Sequence, residues 1–306
     1  MMIKQIAAAA LALGVSATGA LAEYPDRPVS IVVPFPPGDL EDVLTRMVAE
    51  DFQEAYGVPT AVINVPGGGG GPFPGAVQVA NAPADGSVIG SFVVAVPVVG
   101  PNLGIPELSP NPFEPLGIFL TYPFVIAASG DAPYSTMQEL AEYAQDNDLV
   151  LGHFGAPLVP TRVTLALADR MGFSYGSDAA FDALDCNTLA SGDADVINTT
   201  LQLILPCLDD VTILASVTGE RISILDDVPT VAEIEPSLNL SLWNGLFVHR
   251  DTPQEVRDAI IAVARETMAS ERAQTLAEET GALIYWQNAE EATAQIEADT
   301  DVINGL

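Results

Sequence analysis

The chain is 306 residues long and carries 41 acidic residues against ten Lys and Arg, a net charge of −31. This balance excludes nucleic acid and anionic membrane surfaces as partners, because both are held by clustered Lys and Arg. So strong a self-repulsion is relieved by salt, whose screening length falls to roughly 3 Å at 1 M, and it points to a saline surrounding.

The first residues read as an export signal. Lys4 supplies the positive start, residues 6–15 the apolar stretch and Ala20-Leu21-Ala22 an A-x-A cleavage pattern. Residues 1–22 are therefore expected to be removed, with the mature protein starting near Glu23 and residing in the periplasm. That leaves 306 − 22 = 284 residues, with nine arginines facing 41 acids, a charge of 9 − 41 = −32. No later stretch reads as membrane-spanning, since Pro97, Gly100 and Pro101 interrupt the most apolar run.

Strand and helix patterns then alternate. A β-rich run at 29–33 leads through Pro34-Phe35-Pro36-Pro37-Gly38-Asp39 into a helix whose apolar residues Leu40, Val43, Leu44, Met47, Val48 and Phe52 recur at helical spacing. That order aims a helix N-terminus, with unpaired N–H groups and the positive dipole end, at whatever sits above the strand. A strand is predicted at 60–64, then five glycines at 67–71, a helix near 75–81 and a strand at 87–96. Residues 91–111 are rich in Pro and Gly and, with 112–128, read as a crossing between two domains. The rhythm resumes with a helix at 135–145, a strand at 148–153, a loop at 154–160 and a helix at 161–171. A helix at 179–191, strands at 194–198 and 211–217, a second crossing near 242–249 and helices at 253–270 and 290–299 complete the pattern. This βαβ alternation predicts mostly parallel sheets with right-handed crossovers. Cys186 and Cys207 are the only cysteines; a disulfide and two buried thiols both fit an oxidising compartment.

Catalytic patterns are missing. There is no G-x-S-x-G elbow and no phosphate loop with its lysine, and Phe73 and Pro74 stand where a G-x-G-x-x-G register would need glycine. His153 and His249 have no nearby partner in sequence. The acid clusters Asp39/Glu41/Asp42, Asp209/Asp210 and Asp226/Asp227 lack the spacing of a cation loop and read as solvated faces. No catalytic residue, metal or cofactor is expected.

Ordered landmarks run along nearly the whole mature chain. Tyr24-Pro25-Asp26-Arg27-Pro28 with Val32-Val33-Pro34-Phe35-Pro36-Pro37-Gly38, Asn64-x-Pro66-Gly67-x-Gly69-Gly70, Ala84-Asp85-Gly86, Asp227-Val228-Pro229-Thr230-Val231-Ala232-Glu233 and Trp243-x-Gly245-Leu246-Phe247 resemble those of the tripartite tricarboxylate transporter substrate-binding proteins, the Bug-type receptors. The resemblance implies an α/β periplasmic binding protein fold of two domains, 23–120 with 246–306 and 121–245, with a ligand cleft between them. It implies a monomeric receptor that traps a small, carboxylate-bearing solute and delivers it to a membrane permease, without catalysis. The alternatives are a receptor for a neutral, zwitterionic or cationic solute, or a ligand-sensing or enzymatic periplasmic protein on the same fold. In the family, matching loops of the two domains hold a ligand carboxylate. Carried over, these contribute Phe35, Pro36, Gly38, Asp39, Leu40 and Asp42 from one side and His153, Phe154, Gly155, Ala156 and Thr161 from the other. Thr199 and Thr200, at the start of a helix, either face the cleft or simply cap that helix.

The departures bear on the ligand. Where the family's first loop carries glycine and small or hydroxyl residues, this chain has Asp39, Leu40 and Glu41; its second loop holds Pro157 and Pro160, which remove donors. Asp39 either caps its own helix or faces the cleft. In the cleft, about 4 Å from a ligand carboxylate and at an effective dielectric of ~20, it would cost roughly 4 kcal/mol.

Overall fold

The computed structural model describes residues 24–67 and 71–305; the expected export signal and the middle of the glycine run lie outside them. In chain order the first elements are β1 (Val29–Val33), α1 (Leu40–Tyr56), β2 (Thr60–Asn64), α2 (Phe73–Ala80), β3 (Val88–Val93), α3 (Ala95–Val98) and β4 (Phe113–Thr121). Next come β5 (Phe124–Ser129), α4 (Met137–Tyr143), β6 (Val150–His153), α5 (Val159–Arg170), β7 (Ser177–Ala180), α6 (Cys186–Ser191), β8 (Val196–Thr200), α7 (Leu201–Ile204) and β9 (Val211–Ser216). The chain closes with α8 (Val231–Ile234), β10 (Trp243–His249), α9 (Gln254–Met268), α10 (Glu271–Thr280), β11 (Leu283–Asn288) and α11 (Ala289–Asn304).

These build two α/β units. One sheet has the order β11-β4-β10-β3-β1-β2 and the other β7-β6-β8-β5-β9. The sheets are mixed rather than mostly parallel. β1 runs parallel to β2 and β3, whereas β10 is antiparallel to β3 and β4, and β11 to β4. In the second sheet β5 is antiparallel to both β8 and β9. The cause is the double crossing. β5 and β10 each arrive from the other unit, so each starts at the end where the βα strands finish: Phe124 pairs with Thr200, and Trp243 with Thr121. A strand entering from that end must run backwards. β10 begins at Trp243, ahead of the expected return at residue 246.

Three local readings change. Residues 177–180 form the edge strand β7, which takes the first residues of the helix expected at 179–191, because parallel pairing with β6 overrides a polar Ser-Asp-Ala-Ala run of weak strand preference. The strand expected at 87–96 ends at Val93 and turns into α3. Residues 271–288, without a predicted element, fold as α10 and β11. Cys186 and Cys207 are joined in a disulfide.

Helix α1 is held firmly. Leu40, Leu44, Val48 and Phe52, one turn apart, are buried along one face, each worth about 1.5–3 kcal/mol of burial. Gly57 ends the helix in the left-handed conformation at φ 67°, its N–H donating to the Gln53 carbonyl. Behind it, Asn244 Nδ2 donates to Ser91 Oγ at 2.7 Å, and Ser91 Oγ shares a 2.8 Å hydrogen bond with Thr45 Oγ1. This buried chain joins α1 to β3 and β10. Phe92, Phe113 and Phe247, from three neighbouring strands, stack below with centroids 5.0 to 6.5 Å apart.

Candidate ligand cleft

Between the two units lies a cavity of about 80 Å³, floored by the crossing segments and walled by the loops that follow β1, β3, β6 and β8. The crossings lie side by side, Tyr122 N–H donating to the Leu242 carbonyl at 2.7 Å. Tyr122, Phe124, Leu242 and Trp243 all face the cavity. Trp243 is anchored from behind, its indole N–H donating to Asp299 Oδ2 at 2.6 Å.

The wall from the first unit starts at the β1–α1 loop. Gly38 turns that loop at φ 103°, a conformation open to glycine and strained for other residues. Asp42 then fastens it. Its carboxylate accepts from Gly38 N–H at 2.9 Å, from Arg46 Nε and Nη2 at 2.9 Å each, and from Asn64 Nδ2 at 2.8 Å. Asn64 Nδ2 also donates to the Phe35 carbonyl at 3.0 Å. Burial alone would raise the Asp42 pKa, but these hydrogen bonds and the Arg46 charge bring it below the usual range. With Asp42 occupied in this way, Phe35, Asp39, Leu40 and Glu41 line the cavity. Pro36 and Gly38 sit exposed outside it.

Asp39 stands at the N-cap position of α1, yet its side chain makes no capping hydrogen bond. Of the two readings open for it, the structure takes the cavity-facing one. Burial, then the Asp42 charge, push its pKa up to about 6. Its neighbour Glu41 is only 3% exposed, and burial followed by the Asp39 charge pushes it up to about 8. The Tyr122 hydroxyl beside Glu41 is raised by burial and by that carboxyl, and it has no hydrogen bond of ordinary geometry. The first acid cluster is thus not a solvated face: Glu41 and Asp42 are buried and Asp39 is partly so. Asp209/Asp210 and Asp226/Asp227 are exposed, as a solvated face requires.

The second unit contributes mostly apolar groups. Phe154 lines the cavity with Leu158, Val159 and Pro160, the apolar start of α5. His153 is buried elsewhere, Nε2 lying 3.1 Å from Asp178 Oδ1 on the edge strand. Thr161 Oγ1 donates to the Gly155 carbonyl at 2.9 Å, closing the loop on itself, and Ala156 is exposed; none of His153, Gly155, Ala156 and Thr161 lines the cavity. The two threonines divide: Thr199 Oγ1 donates to the Leu184 carbonyl at 2.7 Å, whereas Thr200 makes no side-chain cap and faces the cavity with Gln202 and Leu203. Reading the sequence missed Glu41, Tyr122 and Trp243. The first was hidden by treating all acid clusters alike; the others belong to crossings whose inner face no local pattern marks.

Among the described residues, the polar and charged side chains lining the cavity belong to Asp39, Glu41, Tyr122, Thr200 and Gln202; no Arg, Lys or His lines it. No group of three or more His, Cys, Asp or Glu is placed to hold a metal ion, and no helix is long and apolar enough to cross a membrane, again among the described residues.

Two α/β units joined by a double crossing, with a cavity between them, define a periplasmic binding protein fold. Residues 44–303 match the tripartite tricarboxylate transporter family receptor, TctC, and the chain belongs to that family. A UPF0065 protein from a Pseudomonas species is 28% identical over 284 residues, covering 87% of this chain and 81% of the relative. The periplasmic binding protein BugD is similar in structure, with a TM-score of 0.78 and 26% identity over 91% of this chain and 95% of BugD. MatC from Rhodopseudomonas palustris, solved with bound malate, shares the fold at a TM-score of 0.76 and 23% identity, covering 92% of this chain and all of MatC (100%). The family and these neighbours are solute-binding proteins.

Proposed function

We propose that this protein is an exported, periplasmic solute receptor of a tripartite transporter, which closes its two units, 23–120 with 246–306 and 121–245, on a small solute and presents the closed form to a membrane permease. One observation carries the reading: a cavity lies at the strand ends between the two units, floored by the crossings about which such units rotate. Phe35, Asp39, Leu40, Phe154 and Thr200 would touch the solute, together with Glu41, Tyr122 and Gln202. The chemistry supports binding rather than turnover, since the lining holds no nucleophile paired with a base. The bound malate of MatC makes dicarboxylates the natural first ligands to try, although this lining offers an anion only neutral donors.

The test is ligand-dependent closure. A solute that fits is expected to raise the melting temperature and reduce the radius of gyration in small-angle X-ray scattering, without being consumed. Deleting the gene should abolish uptake of that solute. Stabilisation with turnover would turn the reading toward an enzyme, and intact uptake in the deletion strain would turn it toward sensing.

A further inference from the structure

Resting on the receptor reading, we infer that the cavity selects a small organic ammonium ion, its nitrogen against the Asp39 and Glu41 carboxyls and its apolar body among Phe35, Phe124 and Phe154. Three observations lead there. Two carboxyls line a largely apolar cavity with no cationic side chain to balance them. The Tyr122 hydroxyl is buried beside the Glu41 carboxyl, on a residue that lines the same space, and makes no hydrogen bond of ordinary geometry, so an ammonium N–H reaching it would give its oxygen a donor. Aromatic rings line the same cavity, where Phe124 sits edge-to-face with Tyr122 at 6.1 Å and with Phe154 at 6.2 Å, the residue type whose ring faces attract a cation.

The groups around the acids leave little else to titrate. On α1, Asp42 is already neutralised by Arg46. On the crossings, Tyr122 stays protonated, and Asp299 sits behind Trp243, engaged with its indole. The second unit presents only Phe154, Leu158, Val159, Pro160, Thr200, Gln202 and Leu203, none of them titratable. Burial and their mutual repulsion raise both carboxyls, so near neutral pH the pair still holds a share of protons, Glu41 more than Asp39. A bound ammonium ion stabilises both carboxylates, so Glu41 releases a proton as the ligand enters. Affinity then rises with pH between about 6 and about 8. A carboxylate ligand would do the opposite, taking up a proton and binding more weakly as pH rises.

Titration calorimetry on the purified protein tests this with matched probes: 2-phenylethylammonium, benzyltrimethylammonium and butylammonium against 2-phenylethanol, 3-phenylpropanoate and malate. 2-Phenylethylammonium is expected to bind at least about tenfold more tightly than 2-phenylethanol, a gap equivalent to one pKa unit. It should release protons when buffers of different ionisation heat are compared. Asp39→Asn and Glu41→Gln should each lose about tenfold or more for that probe while keeping the wild-type circular dichroism spectrum. Equal binding of amine and alcohol, or tighter binding of a carboxylate with proton uptake, overturns the cation assignment and leaves the receptor standing. If no probe of any charge binds or compacts the protein, the receptor reading falls with it.

Discussion

Replacing Asp42 by alanine removes the carboxylate that ties the β1–α1 loop to α1 and β2. The residue is 1% exposed and its carboxylate accepts four hydrogen bonds, from Gly38, Asn64 and twice from Arg46. Hydrogen bonds to a charged group contribute about 1.5–3 kcal/mol each when both partners are shielded. The Arg46 side chain is 44% exposed and recovers water, so its two bonds return little of that. Counting Gly38 and Asn64 alone, and allowing for partial rehydration of the loop, the loss is about 2–4 kcal/mol. That is a large share of the roughly 5–15 kcal/mol that keeps a domain folded. The acid limb should change too. The folded Asp42 pKa lies below its ordinary value, so its stabilisation is present above the unfolded value, about 3.9, and disappears as pH falls through the folded one. Urea unfolding followed by Trp243 and Trp286 fluorescence is the assay, at neutral pH and at steps down into the acid range. A neutral-pH loss below about 0.5 kcal/mol, the scatter of an ordinary surface substitution, together with an unchanged acid limb, would refute the assignment of Asp42 as the fastener of this loop.

Glu41→Gln should give a gain at alkaline pH. Asp39 and Glu41 titrate above their unfolded values of about 4, so their contribution is full below that and is lost as pH rises from there through about 6 and about 8. Wild-type stability is thus expected to fall across that window and the variant's to stay flatter, with at least about 1 kcal/mol between them at the alkaline end; parallel curves would remove the buried-proton explanation. Changing Cys186 and Cys207 together to serine opens a loop of sequence separation 21, worth about 3 kcal/mol by loop-closure entropy. The melting temperature of the double variant should match that of reduced wild type, and a variant as stable as the oxidised protein would contradict this. Last, the net charge of −31 predicts that the melting temperature rises with NaCl from low to molar concentration. A melting temperature that is flat or falls with salt would argue against the saline surrounding.

Much of the architecture was legible because it is written as period and punctuation. β1, α1 and β2 fall where the β-rich run at 29–33, the helical apolar spacing and the strand predicted at 60–64 place them. β7 was not legible, since its pairing with β6 supplies the order that Ser-Asp-Ala-Ala lacks. Nor were the reversed directions of β5 and β10, which follow from which end of a sheet the chain enters. At the site, Asp39 could be singled out as a departure from the family pattern, but its direction could not. Residues 39, 41 and 42 share one short acidic run and have three different environments: Asp39 on the cavity, Glu41 buried beside Tyr122, Asp42 bound to Arg46 and Asn64.

By itself the sequence determined the charge, the alternation of strands and helices, the two crossings and the family landmarks, because each is carried by residues near one another along the chain. Only the tertiary structure decided which acids meet the ligand space, that Cys186 and Cys207 join, and that the cavity has carboxyls without a balancing cation. Those outcomes depend on surfaces from distant segments, residues 35–41, 93–95, 122–124, 154–160, 200–203 and 242–243, brought together across the two units. Burial then sets the protonation of groups whose identities the sequence had already shown.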